Sequence, residues 1–294
     1  MTGHEDPAGA IDMILTPASK DLGDHFVVRR ALPAVQRRMV GPFVFLDEMG
    51  PAHFAAGSGL DVRPHPHIGL STVTYLFQGA IRHKDTLGVE RDITPGALNL
   101  MTAGRGVAHS ERTPPDMRAA GGPVWGLQAW LALSRADEAC EPSFRHLPAA
   151  ELPATEADGV RVKLILGSGF GMTAPVETSL PAFYADVGLD FGARIEVPAF
   201  GPERAIYVAS GAEEIDGVRI EAGRLVVLAG AAPVMVQASA DARIALLGGE
   251  GDGPRRLWWN FVASDAERIE QAKADWRAGR FGLPEGETEF IPLP

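Results

Sequence analysis

His65-Pro-His-Ile-Gly-Leu-Ser-Thr-Val-Thr-Tyr-Leu-Phe-Gln-Gly79 joins two imidazoles to a run of β-branched and aromatic residues that stops at a glycine. Side chains two apart on a strand point to the same face, so an extended segment aims His65 and His67 the same way. Pro64 and Pro66 withdraw backbone donors beside them, which a strand tolerates at a sheet edge or rim. Residues 71–77 have strand composition, and 80–85 read as the following hairpin arm. Turns fall near Gly88 and at Ile93-Thr-Pro-Gly96, and the latter leads into Ala97-Leu-Asn-Leu-Met101. With 34 glycines and 23 prolines as punctuation, the chain reads as all-β.

Gly104-Arg105-Gly106 permits a tight reversal just before His109-Ser110-Glu111, which repeats the spacing of the first pair. If both pairs line one barrel, three imidazoles and a carboxylate can converge on a point. That donor set suits a divalent transition metal better than calcium or magnesium. His83, in His83-Lys-Asp85, has the same spacing and competes as a ligand, but its charged, turn-like setting places it at the pocket mouth. His4, His25, His53 and His146 read as surface or hydrogen-bonded residues, and no histidine follows His146. The second half therefore cannot hold the same site.

A weak internal repeat supports two similar barrels. Tyr75-Leu-Phe-Gln-Gly79 matches Tyr207-Val-Ala-Ser-Gly211, and Thr94-Pro-Gly-Ala-Leu98 matches Glu221-Ala-Gly-Arg-Leu225. The stretch 141–158, rich in proline, alanine and acids, separates them as a linker, which gives blocks 1–140 and 159–294. Ser264-Asp-Ala-Glu267 reads as a capping box opening a helix that stops at Gly279 and packs Ile269, Ala272 and Trp276 on a barrel. Trp258-Trp259 reads as interface core. Gly167-Ser-Gly-Phe-Gly171 lacks dinucleotide-loop spacing and reads as a mobile loop.

The net charge of −11 and the scattered basic pairs argue against direct nucleic-acid binding. No apolar run is long enough for a membrane span, and the acidic start, Met1 to Asp6, does not resemble a signal peptide. The single Cys140 excludes an intramolecular disulfide and fits a reducing cytoplasm.

The segment Arg63–Leu76, then His83-Lys-Asp85, then Met101-Thr-Ala-Gly-Arg-Gly-Val-Ala-His-Ser-Glu111 resembles the pirin family of bicupins. Gly41-Pro-Phe-Val-Phe-Leu-Asp47, Gln128-Ala-Trp130 and Gly279-Arg-Phe-Gly282 share the resemblance. It implies two cupin, jelly-roll-like barrels in tandem with a short C-terminal helix. It also implies one metal, iron(II) first with zinc, nickel, cobalt, manganese or copper as alternatives, on His65, His67, His109 and Glu111. Family members cleave quercetin with dioxygen and release carbon monoxide, which makes a small aromatic molecule the expected substrate. Glu111 would then be ligand and catalytic base together. Other members are iron-dependent partners of transcription factors, so the alternative is a non-enzymatic, redox-responsive regulator that binds a protein. A third reading puts a zinc isomerase or hydrolase in the same pocket. The chain departs from the pattern at Ser71, where the family often has Glu, at Asn99 for a common Gln, and at Ser134 and 135–152.

Overall fold

A computed structural model describes residues 9–21 and 27–294. His4, His25 and the acidic start lie outside the described residues.

The chain forms two compact units, each built from a seven-stranded and a four-stranded antiparallel sheet, the jelly-roll pairing the sequence implies. In the first unit the large sheet runs Ser143–Leu147, Leu98–Thr102, Leu70–Gln78, Gly122–Ala132, Phe43–Phe54, Val27–Leu32, Ala18–Asp21. Its small sheet runs Asp61–His67, Val107–Arg112, Ile81–Asp85, Glu90–Ile93. Asp61–His67 is therefore an edge strand, where Pro64 and Pro66 remove no needed ladder bond.

The second unit repeats this order with Glu203–Ser210 in the central place that Leu70–Gln78 holds in the first. The repeat glycines follow those strands in both units. Gly79 (φ 80°) and Gly211 (φ 75°) turn with positive φ where a Cβ would meet a backbone oxygen, Pro123 O at 2.2 Å and Asp241 O at 2.3 Å.

The units interleave along the chain, which corrects the contiguous blocks read from the sequence. One unit takes residues 18–152 and 251–294, and the other takes the N-terminal residues through Pro17 with 153–250. Strand Ile11–Leu15 pairs with Arg224–Leu228, so the N-terminal strand belongs to the second barrel. The stretch 141–158 is no loose tether: Ser143–Leu147 extends the first large sheet and Ala154–Ala157 the second, with the boundary after Leu152.

The helix Ala266–Arg277, placed with the second block by sequence order, belongs to the first unit. The reason is its apolar stripe: Ile269, Ala272 and Trp276 are buried against Ile68 and Ala108 of that unit. Its cap is Asp265, which accepts from the Glu267 amide, rather than Ser264, whose hydroxyl is taken by Glu138. Residues 168–173, expected as a mobile loop, form a tight hairpin through Phe170. Among the described residues no helix is long and apolar enough to cross a membrane.

Candidate metal centre

Strand Val107–Arg112 lies between Asp61–His67 and Ile81–Asp85 and carries the second sequence pair between the first pair and His83. His109 stands directly opposite His65 and, on its other side, opposite Asp85. The register slips between His109 and Glu111, and a bulge of this kind re-aims the side chain that follows it.

His65, His67 and His109 are buried, and each offers a ring nitrogen to a group spanning at most 4.8 Å. Nε2 of His67 lies 3.0 Å from Nε2 of His109. The outer nitrogens settle the tautomers. His67 Nδ1 donates to the Asn260 carbonyl at 3.1 Å, and His65 Nδ1 donates to the Arg63 carbonyl at 2.9 Å. His83 Nε2 donates to Asp85 Oδ2 at 2.9 Å, so its Nδ1 accepts from His109 Nδ1 at 3.2 Å.

Each of the three rings is thereby left with an Nε2 lone pair. Two lone pairs 3.0 Å apart repel unless a cation lies between them. Burial, with mutual repulsion of the rings, holds all three well toward the neutral form, His65 down to about 4. Neutral imidazoles whose outer nitrogens are held by two carbonyls and, for His109, by the Asp85-bound His83 ring are the donor set of a transition-metal site, and the residues present fit such an ion.

Glu111 is buried and opens onto the same cavity. Burial pushes its carboxyl above the ordinary range, opposed by His83 and by Gln128 and Thr74. Gln128 Nε2 lies 3.4 Å from both carboxylate oxygens, while Gln128 Oε1 accepts from Thr74 at 2.7 Å.

The cavity holds about 380 Å³. Phe45 and Trp130 line it, stacked at 3.8 Å, with the Trp130 edge toward His67 at 5.0 Å.

The C-terminal segment closes the other side. Leu257, Trp259, Asn260 and Ile291 line the cavity, and Ile291 N donates to the Pro64 carbonyl at 2.8 Å. Glu287 accepts from Ser110 at 2.8 Å and takes both ends of Arg112 at 2.9 and 2.7 Å. At Gly69 (φ 66°) a Cβ would stand 2.0 Å from the Val262 carbonyl, so glycine is what lets this segment approach.

Of the residues singled out in the sequence, His65, His67 and His109 come together, and His65, His67 and Glu111 line the cavity. His83 is buried behind His109, stacked on Phe144, rather than at the pocket mouth. The signal was present as His83-x-Asp85, a same-face pair in which the carboxylate orients the ring. Trp259 lines the cavity, whereas Trp258 takes Lys273 over its ring at 4.0 Å. Ser71 bonds Thr102 at 2.9 Å, and Asn99 accepts from His146 at 2.6 Å. The Asn260 carbonyl left no trace in the sequence, since any residue carries one.

The family described as Pirin matches residues 25–131, and the Pirin C-terminal cupin domain matches 184–282. A pirin-like protein from Caulobacter vibrioides is 48% identical over 288 residues, covering 97% of this chain and 99% of that one. Human pirin is 33% identical over 270 residues, covering 89% and 90% of the two chains. A crystal structure of quercetin 2,3-dioxygenase from Acinetobacter baumannii superposes with a TM-score of 0.89 at 34% identity, over 96% and 94% of the two chains. Two cupin barrels, a buried histidine cluster and matches along both halves lead to one conclusion: the chain belongs to the pirin family.

Proposed function

We propose that the chain is an iron(II)-dependent dioxygenase of quercetin-type flavonols, working in the cytoplasm, with His65, His67, His109 and Glu111 as metal ligands and Glu111 as base. The observation that supports this most is the convergence of three buried imidazoles, two of which line one cavity together with the buried carboxylate of Glu111. Its volume falls in the range of about 300–1,000 Å³ typical of small-molecule sites. The likeness to the Acinetobacter quercetin 2,3-dioxygenase supports the substrate class.

A bound metal, held by His65, His67, His109 and Glu111, would supply Lewis acidity toward the substrate hydroxyl. The chain's residues do the rest. Glu111 receives the flavonol 3-hydroxyl proton, being the one carboxylate among the proposed ligands and a residue of the cavity lining. Gln128 holds the carboxylate in place and is itself fixed by the Thr74 hydroxyl. Phe45, Trp130 and Trp259 wall the ring system from water.

The test is purification without air, metal determination, and parallel measurement of quercetin loss, oxygen uptake and carbon monoxide. Oxygen-dependent turnover is expected in the wild type, with a drop of at least about 10²-fold in Glu111→Gln. A fully metal-loaded protein without flavonol turnover overturns the reading.

A further inference from the structure

Polar residues cross the cavity face of the large sheet in register. Arg30 stands opposite Asp47, Asp47 opposite Gln128, and Gln128 opposite Thr74. Neighbouring strands lie about 4.8 Å apart, so Arg30 stands roughly 10 Å across the sheet from Gln128. Gln128 is the residue whose amide meets Glu111, so the row runs from the metal-binding end of the cavity to a second polar end.

That second end is a preformed pair. Arg30 Nε and Nη2 each donate to Asp47 at 2.8 Å, and both residues line the cavity. Asp47 is 2% exposed. The guanidinium also lies 4.4 Å over the Phe45 ring, which links the pair to the Phe45–Trp130 stack. Stapling the two strands does not require this placement, because the next residues along them, Arg29 and Glu48, form a salt bridge outside the cavity lining.

The chemistry of the pair selects a ligand. Positive and negative charge are compensated, so the pair offers little net attraction to a carboxylate or phosphate. Arg30 Nη1 is not used by Asp47 and remains a donor, while each Asp47 oxygen keeps a second lone pair. A donor beside acceptors matches groups that both give and take a hydrogen bond.

We propose that Arg30 and Asp47 are specificity-determining residues that bind two adjacent phenolic hydroxyls on an aromatic ring, roughly 10 Å across the sheet from Gln128. The proposal rests on the flavonol reading for the metal end of the cavity and sets which flavonols are preferred. A site built to hydrogen-bond hydroxyls rejects the analogue lacking them, because its own polar groups are then left unpaired.

Equilibrium binding to the metal-loaded protein, followed through tryptophan fluorescence under argon, tests it. The probes are quercetin and 3,5,7-trihydroxyflavone, which lacks only the two adjacent hydroxyls of the pendant ring. Wild type is expected to prefer quercetin by at least about tenfold. Arg30→Met with Asp47→Leu, which removes both charges together and so leaves neither buried alone, is expected to reduce that preference below about threefold with unchanged metal content. Arg30→Lys, which keeps the charge but loses the planar fork, is expected to fall between.

Equal affinities in wild type, no binding of either flavonol, or undiminished preference in the double variant each overturn the proposal. Selective binding without turnover overturns the dioxygenase reading alone and leaves this one standing.

Discussion

On the small sheet of the first unit the inward positions carry His65, His67, His109 and His83; on the small sheet of the second they carry Ile195, Val197, Val234, Val236 and Ile215. Strand order and turn glycines match, so the backbone does not decide which barrel binds a metal. What decides it is the filling. An apolar interior gains free energy with each buried side chain, by about 25 cal/mol per Å² of apolar surface. An imidazole interior gains nothing comparable until its lone pairs meet a cation. One barrel is packed to be stable and the other is packed to be completed.

Three experiments break or sharpen that contrast. The largest effect belongs to His109→Ala, which removes the donor shared between both histidine partners. Metal affinity is expected to fall by more than about 10²-fold, read by competition with a chelator, with no change in the unfolding of the second unit.

Next comes Glu213, an acid in the second barrel's interior whose two carboxylate oxygens are buried without a hydrogen bond among the described residues. Burial raises its carboxyl to about 7 from 4.5. The folded chain then holds this proton more tightly than the unfolded chain. Stability is full below about pH 4.5, falls as pH rises toward about 7, and is flat beyond. Glu213→Leu is expected to gain about 2–3 kcal/mol at pH 8 and much less at pH 5 in denaturant unfolding. An equal gain at both pH values would show that the carboxyl is solvated.

The smallest effect is expected at Asp85, whose carboxylate bonds none of the three clustered imidazoles. It fixes His83 at 2.9 Å and caps its own turn through the Leu87 and Val89 amides. Asp85→Asn is expected to weaken metal binding by about 10-fold, because His83 can then adopt the tautomer that no longer accepts from His109. Unchanged affinity would mean that His83 does not orient His109.

How much of this was legible follows from the range of each interaction. The His65–His67 pair and His109 could be read because a strand's period of two is local, and the sheet then sets them opposite one another. The two barrels could be read because glycines at 79 and 211 are demanded by backbone oxygens a short distance away. The helix could be read, but not its owner: Ile269, Ala272 and Trp276 form a stripe that fits either barrel. Glu111 was legible as a residue but not in its aim, which a bulge resets. The link from His67 to the Asn260 carbonyl spans 193 residues and uses a group common to every amino acid, so no pattern announced it.

That link also sets a clock. The strands bearing His65, His67 and Glu111 emerge well before the wall formed by Leu257, Trp259, Asn260 and Ile291. Roughly 180 residues separate Glu111 from Ile291, which at about 5–20 residues per second is on the order of 10–40 s of synthesis. For most of that interval a nascent chain has its imidazoles but lacks the Asn260 carbonyl that fixes the His67 tautomer, and the cover is complete only with Ile291. The His67 ring is therefore oriented only once residue 260 has joined the barrel that holds residue 67.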